Sequence, residues 1–243
     1  MRSLGIIILA AGKGTRLRPL TNKLPKILLK INNKKVIDYA FETFEKLNFS
    51  NKEYLINASY KKELVTKHIL KKKNLNITIY KEKKLRGSLG TLFDNLKWIK
   101  KKDIIILHYG DVIFDKKVIK TLIWMLKSKY KSRMIVDIRN NANQSGIVKF
   151  NSKRELTSFI EKPEKMIGKQ YVNSGLYVFD KNFLVSNMKL ISKKINIDTK
   201  LDFSYEFSEF LLKKTKIFLF KNNVLDIGTI KNFNKAKKIF RNW

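Results

Sequence analysis

Short apolar runs rich in Ile and Val alternate along the chain with segments whose apolar residues recur at helical spacing. A run of the first kind, bounded by turn residues, makes a buried strand; a period near 3.6 residues makes a helix that buries one face. Residues 4–10 read as a buried first strand running into a glycine-containing loop. Residues 36–47 set Ile37, Ala40, Phe41, Phe44 and Leu47 on one helical face. Short strands follow at 54–57 and 77–80, with a helical stretch at 61–72 between them. A further helix begins at Gly90, with Leu92, Phe93, Leu96 and Ile99 inward. The strongly apolar run 104–109 stops at Gly110-Asp111, ahead of a helix near 116–128 and a strand at 133–138.

The second half changes character. Strands at 146–150, 156–160 and 175–180 are separated by short polar links, with helices at 181–190 and 205–214. Strands at 216–220 and 224–226 precede a closing helix at 230–240. Alternating strands and helices specify an α/β fold with a mostly parallel sheet flanked by helices. With only three prolines and ten glycines there is no flexible linker. The expectation is a single domain over 1–243 with two lobes, about 1–140 and a smaller one with the closing helix at about 141–243.

The absence of Cys removes thiol nucleophiles, disulfides and thiolate metal sites, and His68 and His108 are the whole imidazole supply. A metal here is therefore a hard cation on carboxylates, such as Mg2+. The apolar run at 4–11 is too short to span a bilayer and leads into a functional-looking loop, so no membrane insertion and a cytoplasmic location are expected. Lys and Arg outnumber Asp and Glu by 53 to 20, a formal net charge of +33. A field of that size attracts polyanions. The excess is nearly all Lys, however, in clusters such as Lys71-Lys72-Lys73 and Lys100-Lys101-Lys102 at the ends of apolar runs. With Arg scarce and no nucleic-acid-binding motif in sight, solvated surface is the preferred reading and a nucleic-acid partner is not expected. The aromatic group Phe203, Tyr205, Phe207 and Phe210 serves either a core or a homo-oligomer contact.

In the first strand-to-helix connection, Leu9-Ala10-Ala11-Gly12-Lys13-Gly14-Thr15-Arg16 offers two glycines and positive charge. Backbone N–H groups of such a loop approach an anion closely. The loop is neither a dinucleotide fingerprint, since Leu17 stands where the third Gly belongs, nor a P-loop. Lys26 follows Arg16 by ten residues, so that both can face one phosphate chain. Asp111 ends the most apolar strand, at the sheet edge where open α/β folds bind ligands, and Asp226 sits similarly in Leu225-Asp226-Ile227-Gly228-Thr229. Two converging carboxylates suit one Mg2+, although a cap or turn is the competing role for Asp226. Glu161-Lys162-Pro163 and Asn173-Ser174-Gly175 supply acceptor, cation and amide groups suited to a phosphorylated polyol, and equally to plain turns.

Taken in order, A-A-G-K-G-T-R-L-R-P-L-T, L-P-K, L-G-T, G-D, G-I-V, E-K-P, N-S-G-L-Y-V-F-D and L-D-I-G-T resemble the nucleotide-sugar pyrophosphorylases over nearly the whole chain. The resemblance implies a single Rossmann-like domain, with about 1–140 the nucleotide-binding part and about 141–243 the sugar-phosphate-binding part, and an Mg2+-dependent nucleotidyltransferase joining a nucleoside triphosphate to a sugar 1-phosphate, with pyrophosphate leaving. It implies Arg16, Lys26 and Asp111 in catalysis. It also implies nucleotide contacts from Leu9, Ala10, Ala11, Gly12, Gly14, Thr15, Arg16, Lys26, Leu89, Gly90 and Asp111, and a metal on Asp111 and Asp226. Sugar-phosphate contacts fall to Gly146, Glu161, Lys162 and Asn173. Leu89-Gly90-Thr91 is similar to the segment of small guanylyltransferases acting on mannose or heptose 1-phosphate, which points to GTP. Cytidylyl, thymidylyl or uridylyl transfer is the alternative, and a non-catalytic basic nucleic-acid-binding protein a remote one. A sequence that stops at Trp243, with no left-handed β-helix, argues against an expectation of the bifunctional acetyltransferase type.

Overall fold

A computed structural model describes residues 2–140, 142, 144–164 and 168–241. The first half runs β1 (Leu4–Leu9), β2 (Lys30–Ile31), β3 (Lys34–Lys35), α1 (Val36–Glu45), β4 (Lys52–Ala58), α2 (Lys62–Ile69), β5 (Ile77–Lys81), α3 (Gly87–Asp94), α4 (Leu96–Lys100) and β6 (Ile104–Tyr109). There follow β7 (Val112–Phe114), α5 (Val118–Lys127), β8 (Ser132–Asn140), β9 (Gly146–Phe150), β10 (Leu156–Glu161), β11 (Lys169–Asp180) and α6 (Lys181–Ser192). A π-helical turn at Phe203–Phe207 leads into α7 (Ser208–Leu211), and β12 (Thr215–Leu219), β13 (Val224–Asp226) and α8 (Ile230–Ile239) complete the fold.

The core sits on both faces of one mixed sheet. Ile6 and Ile8 of β1 face a cluster with Phe41, Phe44 and Ile56, while Ile7 faces the opposite cluster with Leu55, Ile105 and Leu107. A strand apolar on both faces belongs in the middle of a covered parallel sheet, and β1 lies between β4 and β6, parallel to each. β5 continues the parallel set beyond β4. On the other side, β11 runs antiparallel to β6, β8 and β9, and β10 closes the sheet against β9. The α/β architecture read from the sequence is therefore present, parallel across β6, β1, β4 and β5 and antiparallel across the second half except where β12 runs parallel to β8.

Register then decides where chemistry can gather. Leu9 pairs with Asn57 on one side and Tyr109 on the other, and Ala58 pairs with Lys81. The four parallel strands thus end level, and the loops that leave them share one edge.

Several elements differ from the sequence expectation. The helix expected from Gly90 to Ile99 is broken at Asn95, whose side chain donates to the Thr91 carbonyl and whose backbone leaves the helical region. The helix expected at 205–214 is a π-helical turn followed by a short α-helix, and it starts earlier, at Phe203. β11 begins at Lys169 instead of Gly175, because its polar first half pairs with β8 and bulges between Asn173 and Tyr177. The small β2–β3 hairpin and β7 carried no apolar run long enough to mark them. Phe203 and Phe207 are fully buried and stacked with centroids 4.6 Å apart, so they serve the core, while Tyr205 alone of the group is largely exposed. Lys102 is also not surface. It is buried, paired with Glu53 and set over the Trp98 ring. The part boundary expected near 140 falls at the end of β8, beside residue 141, which lies outside the described residues.

Candidate active site

At the shared edge the Gly loop comes first. Gly14 holds φ 63, in the left-handed region, and a Cβ there would press within 3.0 Å of Thr21 and 3.3 Å of Lys26. The position therefore demands Gly on both counts, and the Thr21 hydroxyl locks the turn by donating to the Gly14 carbonyl at 2.8 Å. Gly12 is different: a Cβ there would meet nothing within 4 Å, so its backbone is open to an incoming group. Ala10 is tied down by its N–H, which donates to Asn57 Oδ1 at 2.6 Å.

Asp111 is placed by its neighbour. A Cβ on Gly110 would stand 2.6 Å from the Leu9 carbonyl oxygen, so only Gly lets the end of β6 close on the end of β1. Asp111 then meets Lys26, which arrives on a 3₁₀ turn after Pro25, and the two form an ion pair. Asp226 comes from the opposite end of the chain because β13 pairs antiparallel with β7, setting Asp226 against Val112. The Ile227 N–H donates to the Asp111 carbonyl at 3.0 Å, and the Gly228 N–H donates to Asp226 Oδ1 at 2.6 Å. A Cβ at Gly228 would lie 3.0 Å from Arg16 Nη2, so the missing side chain makes room for the guanidinium beside Asp226. Arg16, Lys26, Asp111 and Asp226, expected as a group, do converge.

Their electrostatics are mutual. Burial opposes charge on Lys26, but Asp111 and more distantly Asp226 outweigh it and hold the ammonium above its ordinary range. Burial likewise opposes charge on Asp111, and Lys26 overcomes it, keeping the carboxyl low. Asp226 goes the other way, raised by burial and by the neighbouring Asp111. Two carboxylates of which one resists ionisation make a site that a divalent cation would relax. Among the described residues no group of three or more His, Cys, Asp or Glu is placed to hold a metal. Two carboxylates nevertheless fit Mg2+, which keeps waters and takes substrate phosphate oxygens as its other ligands.

A cleft of about 270 Å³ opens on this group, lined by Leu9, Ala10, Ala11, Gly12, Lys26 and Asp111. It also holds residues that sequence reasoning did not single out: Asn57, Glu82, Ser88, Tyr109, Lys200 and Asp202. Glu82 is buried without a cation. Its Oε1 accepts from Asn57 Nδ2 at 2.8 Å and from the Thr91 hydroxyl at 2.8 Å. The signal for both was position: Asn57 and Glu82 end or follow apolar strands at the same sheet edge as Asp111. Leu89 and Gly90, by contrast, stand behind the wall. Leu89 is fully buried, and both amides donate to the Leu201 carbonyl, leaving Gly87 and Ser88 to line the cleft.

The expected sugar-phosphate residues form their own group. Gly146 pairs with Glu161 across β9–β10, and a Cβ at 146 would stand 2.7 Å from Glu161 Oε2, so the glycine gives that carboxylate its space. Burial raises the Glu161 carboxyl, and Lys162 only partly offsets this from 3.6 Å. Lys162 Nζ also lies over the Tyr205 ring. Asn173 is buried and accepts from the Gly175 N–H at 2.9 Å, a turn role. Asp202 is anchored by Ser88 at 3.2 Å and the Ser204 N–H at 3.0 Å, within electrostatic reach of Glu161. This side thus adjoins the smaller cleft. A second, larger cleft of about 1050 Å³ opens at Arg16 and Asp226.

A loop built to approach anions, two cations and two carboxylates at the edge of a mixed α/β sheet define a phosphate-handling site of the nucleotide-binding class. The nucleotidyl transferase family model matches residues 6–242, and the chain belongs to that family. It is 29% identical over 234 residues to the D-glycero-alpha-D-manno-heptose 1-phosphate guanylyltransferase of Campylobacter jejuni, covering 93% of this chain and 96% of that protein. It is 31% identical over 172 residues to the bifunctional protein GlmU of Methanococcus maripaludis, a match that takes in 70% of this chain and 39% of that longer protein. Among solved structures, HddC from Yersinia pseudotuberculosis superposes with a TM-score of 0.75 at 21% identity, covering 99% of this chain and all of that one. A sucrose complex of a Bacillus anthracis protein gives 0.82 at 18% identity, covering 99% and 96%. At these identities the two structures speak for the fold.

Proposed function

We propose that this protein is a sugar-1-phosphate nucleotidyltransferase that uses GTP and a mannose- or heptose-type sugar 1-phosphate. The observation that carries the reading is the meeting of Arg16, Lys26, Asp111 and Asp226 beside the open backbone of Gly12. In such a transfer a phosphate oxygen of the sugar phosphate bonds to the α-phosphorus, the α–β bridge breaks, and pyrophosphate carries off the electron pair. A phosphate monoester is already nucleophilic at neutral pH, so the protein has to position and neutralise more than to move protons. Lys26 and Arg16 offset the triphosphate's charge, and the Gly12–Gly14 loop offers it backbone N–H groups. Asp111 and Asp226 would hold Mg2+, which would supply Lewis-acid relief of the charge on the phosphates. Glu161, Lys162 and Asn173 receive the sugar phosphate, the carboxylate and amide taking hydroxyls and the ammonium the phosphate.

Two observations favour guanine. A relative matched over 96% of its own length is a guanylyltransferase. In the smaller cleft, Glu82 Oε2 carries only a 3.4 Å contact from the Arg86 N–H, leaving it able to accept. Guanine presents two adjacent donors, N1–H and the 2-amino group, that suit a carboxylate. KM values for GTP, UTP, CTP and dTTP with mannose and heptose 1-phosphates test this. GTP is expected to be preferred, and Glu82→Gln should raise its KM by about tenfold, the worth of one unpaired polar contact. Preference for a pyrimidine nucleotide, with Glu82→Gln indifferent, would overturn the base assignment.

A further inference from the structure

The larger cleft runs from Arg16 and Asp226 along the end of β8 to the face of α8. Its walls are cationic: Arg16, Arg139, Lys221, Lys231 and Lys235 all line it. Among the described residues no carboxylate stands within ion-pair distance of Arg16, Lys221, Lys231 or Lys235. Arg139 is paired through Nε with Asp137 at 2.8 Å, which fixes the side chain while leaving its two terminal nitrogens for another anion. Asp137 is itself satisfied by that pair and by the Ser174 hydroxyl at 3.1 Å. Lys231 and Lys235 are four residues apart on α8, and so share a face.

This cleft is wrong for a sugar and right for a polyanion. Glu161, Lys162 and Asn173, the groups suited to hydroxyls, do not line it; they gather on the Tyr109–Asp202 side. It joins the reacting centre at Arg16, the loop cation that meets the phosphate tail. Its volume of about 1050 Å³ gives a small anion a route to solvent as well as a seat.

We propose that the cleft receives the leaving pyrophosphate, with Arg139 as the second guanidinium that holds it beside Arg16 and with Lys231 and Lys235 drawing it outward. The assignment rests on the nucleotidyl-transfer reading, in which the α–β bridging bond breaks and its electron pair stays on the pyrophosphate. Two guanidinium groups suit the bidentate geometry of phosphate oxygens, and the lysines supply field without fixed geometry.

Magnesium pyrophosphate titrated calorimetrically into the whole chain, without nucleotide, tests the seat independently of turnover. Lys231→Ala/Lys235→Ala changes only exposed side chains and so keeps the fold. Arg139→Ala strips Asp137 of its partner, and Arg139→Lys, which keeps the charge but not the fork, controls for misfolding. Pyrophosphate affinity is expected to fall by at least about tenfold in Arg139→Ala and in the double lysine variant, with an intermediate loss in Arg139→Lys. Product inhibition by pyrophosphate should weaken in parallel while the KM for the sugar 1-phosphate holds. Normal turnover with unchanged pyrophosphate affinity in all three variants would overturn this assignment alone. A shift in the sugar 1-phosphate KM in place of pyrophosphate affinity would overturn it in favour of the acceptor. Pyrophosphate binding without any nucleotidyl transfer would sink the reaction reading and the leaving-group role together.

Discussion

Asp226 and Asn57 show how single residues here hold function and stability in different proportions. The Asp226 carboxyl is raised by burial and by Asp111, so its charge is a strain on the metal-free protein. Replacing it with Asn removes that repulsion and, in the proposed reaction, one of the two carboxylates for Mg2+. Asp226→Asn is expected to leave the thermal midpoint unchanged or raise it, while turnover falls by at least about 100-fold; a midpoint lowered by many degrees would mean that the carboxylate is structural. Asn57 is the reverse case. Its amide ties the Ala10 N–H, Glu82 and Thr91 together in a buried network. Asn57→Ala leaves a buried N–H and part of a buried carboxylate unpaired, which should cost roughly 1–3 kcal/mol in urea unfolding and raise the KM for nucleotide. A raised KM alone, with stability intact, would show that water replaces the amide.

Among the elements, β6 carries most of the design. It is apolar on both faces, ends in the Gly110-Asp111 turn, and holds His108 buried between the Phe44 and Phe114 rings, 5.5 and 6.0 Å away. Burial pulls the His108 imidazole down from 6.5 to about 4, the charge of Asp111 offsetting only part of it. Below pH 6.5 the unfolded chain therefore takes up a proton that the folded chain refuses. Stability from this residue is complete above pH 6.5 and declines as pH falls toward 4, by roughly 3 kcal/mol in all. Urea midpoints at pH 7.5 and 4.5 should show that decline in the wild type and a smaller one in His108→Leu; equal declines would remove His108 as a cause. The apolar strands, the amphipathic α1 and the Gly-loop cations were legible in the sequence because each declares itself locally, by period or by residue type. What was not legible depends on partners far along the chain. β7 exists because β13 pairs with it, the first half of β11 because β8 does, and the helix break at Asn95 because its amide competes for the Thr91 carbonyl. Glu82 and Asn57 escaped notice for the same reason: neither belongs to a motif, and only the level ends of β1, β4, β5 and β6 bring them to the site.

For the whole molecule, the charge of +33 is best understood as two populations. Most lysines are solvated surface, and Lys102 shows that even a member of a lysine run can be buried when a carboxylate and a ring await it. A smaller set, Arg16, Arg139, Lys221, Lys231 and Lys235, lines one cleft beside Asp226, the seat proposed above for pyrophosphate. Among the described residues no helix is long and apolar enough to cross a membrane. The whole account turns on one reaction, followed by ³¹P NMR: GTP and mannose or heptose 1-phosphate, mixed with Mg2+ and the protein. It predicts that pyrophosphate and a nucleotide diphospho-sugar appear together with the wild type, and that neither appears at a comparable rate with Asp226→Asn. No pyrophosphate from the folded wild type with any common nucleoside triphosphate and sugar 1-phosphate, or undiminished release by Asp226→Asn, would contradict it.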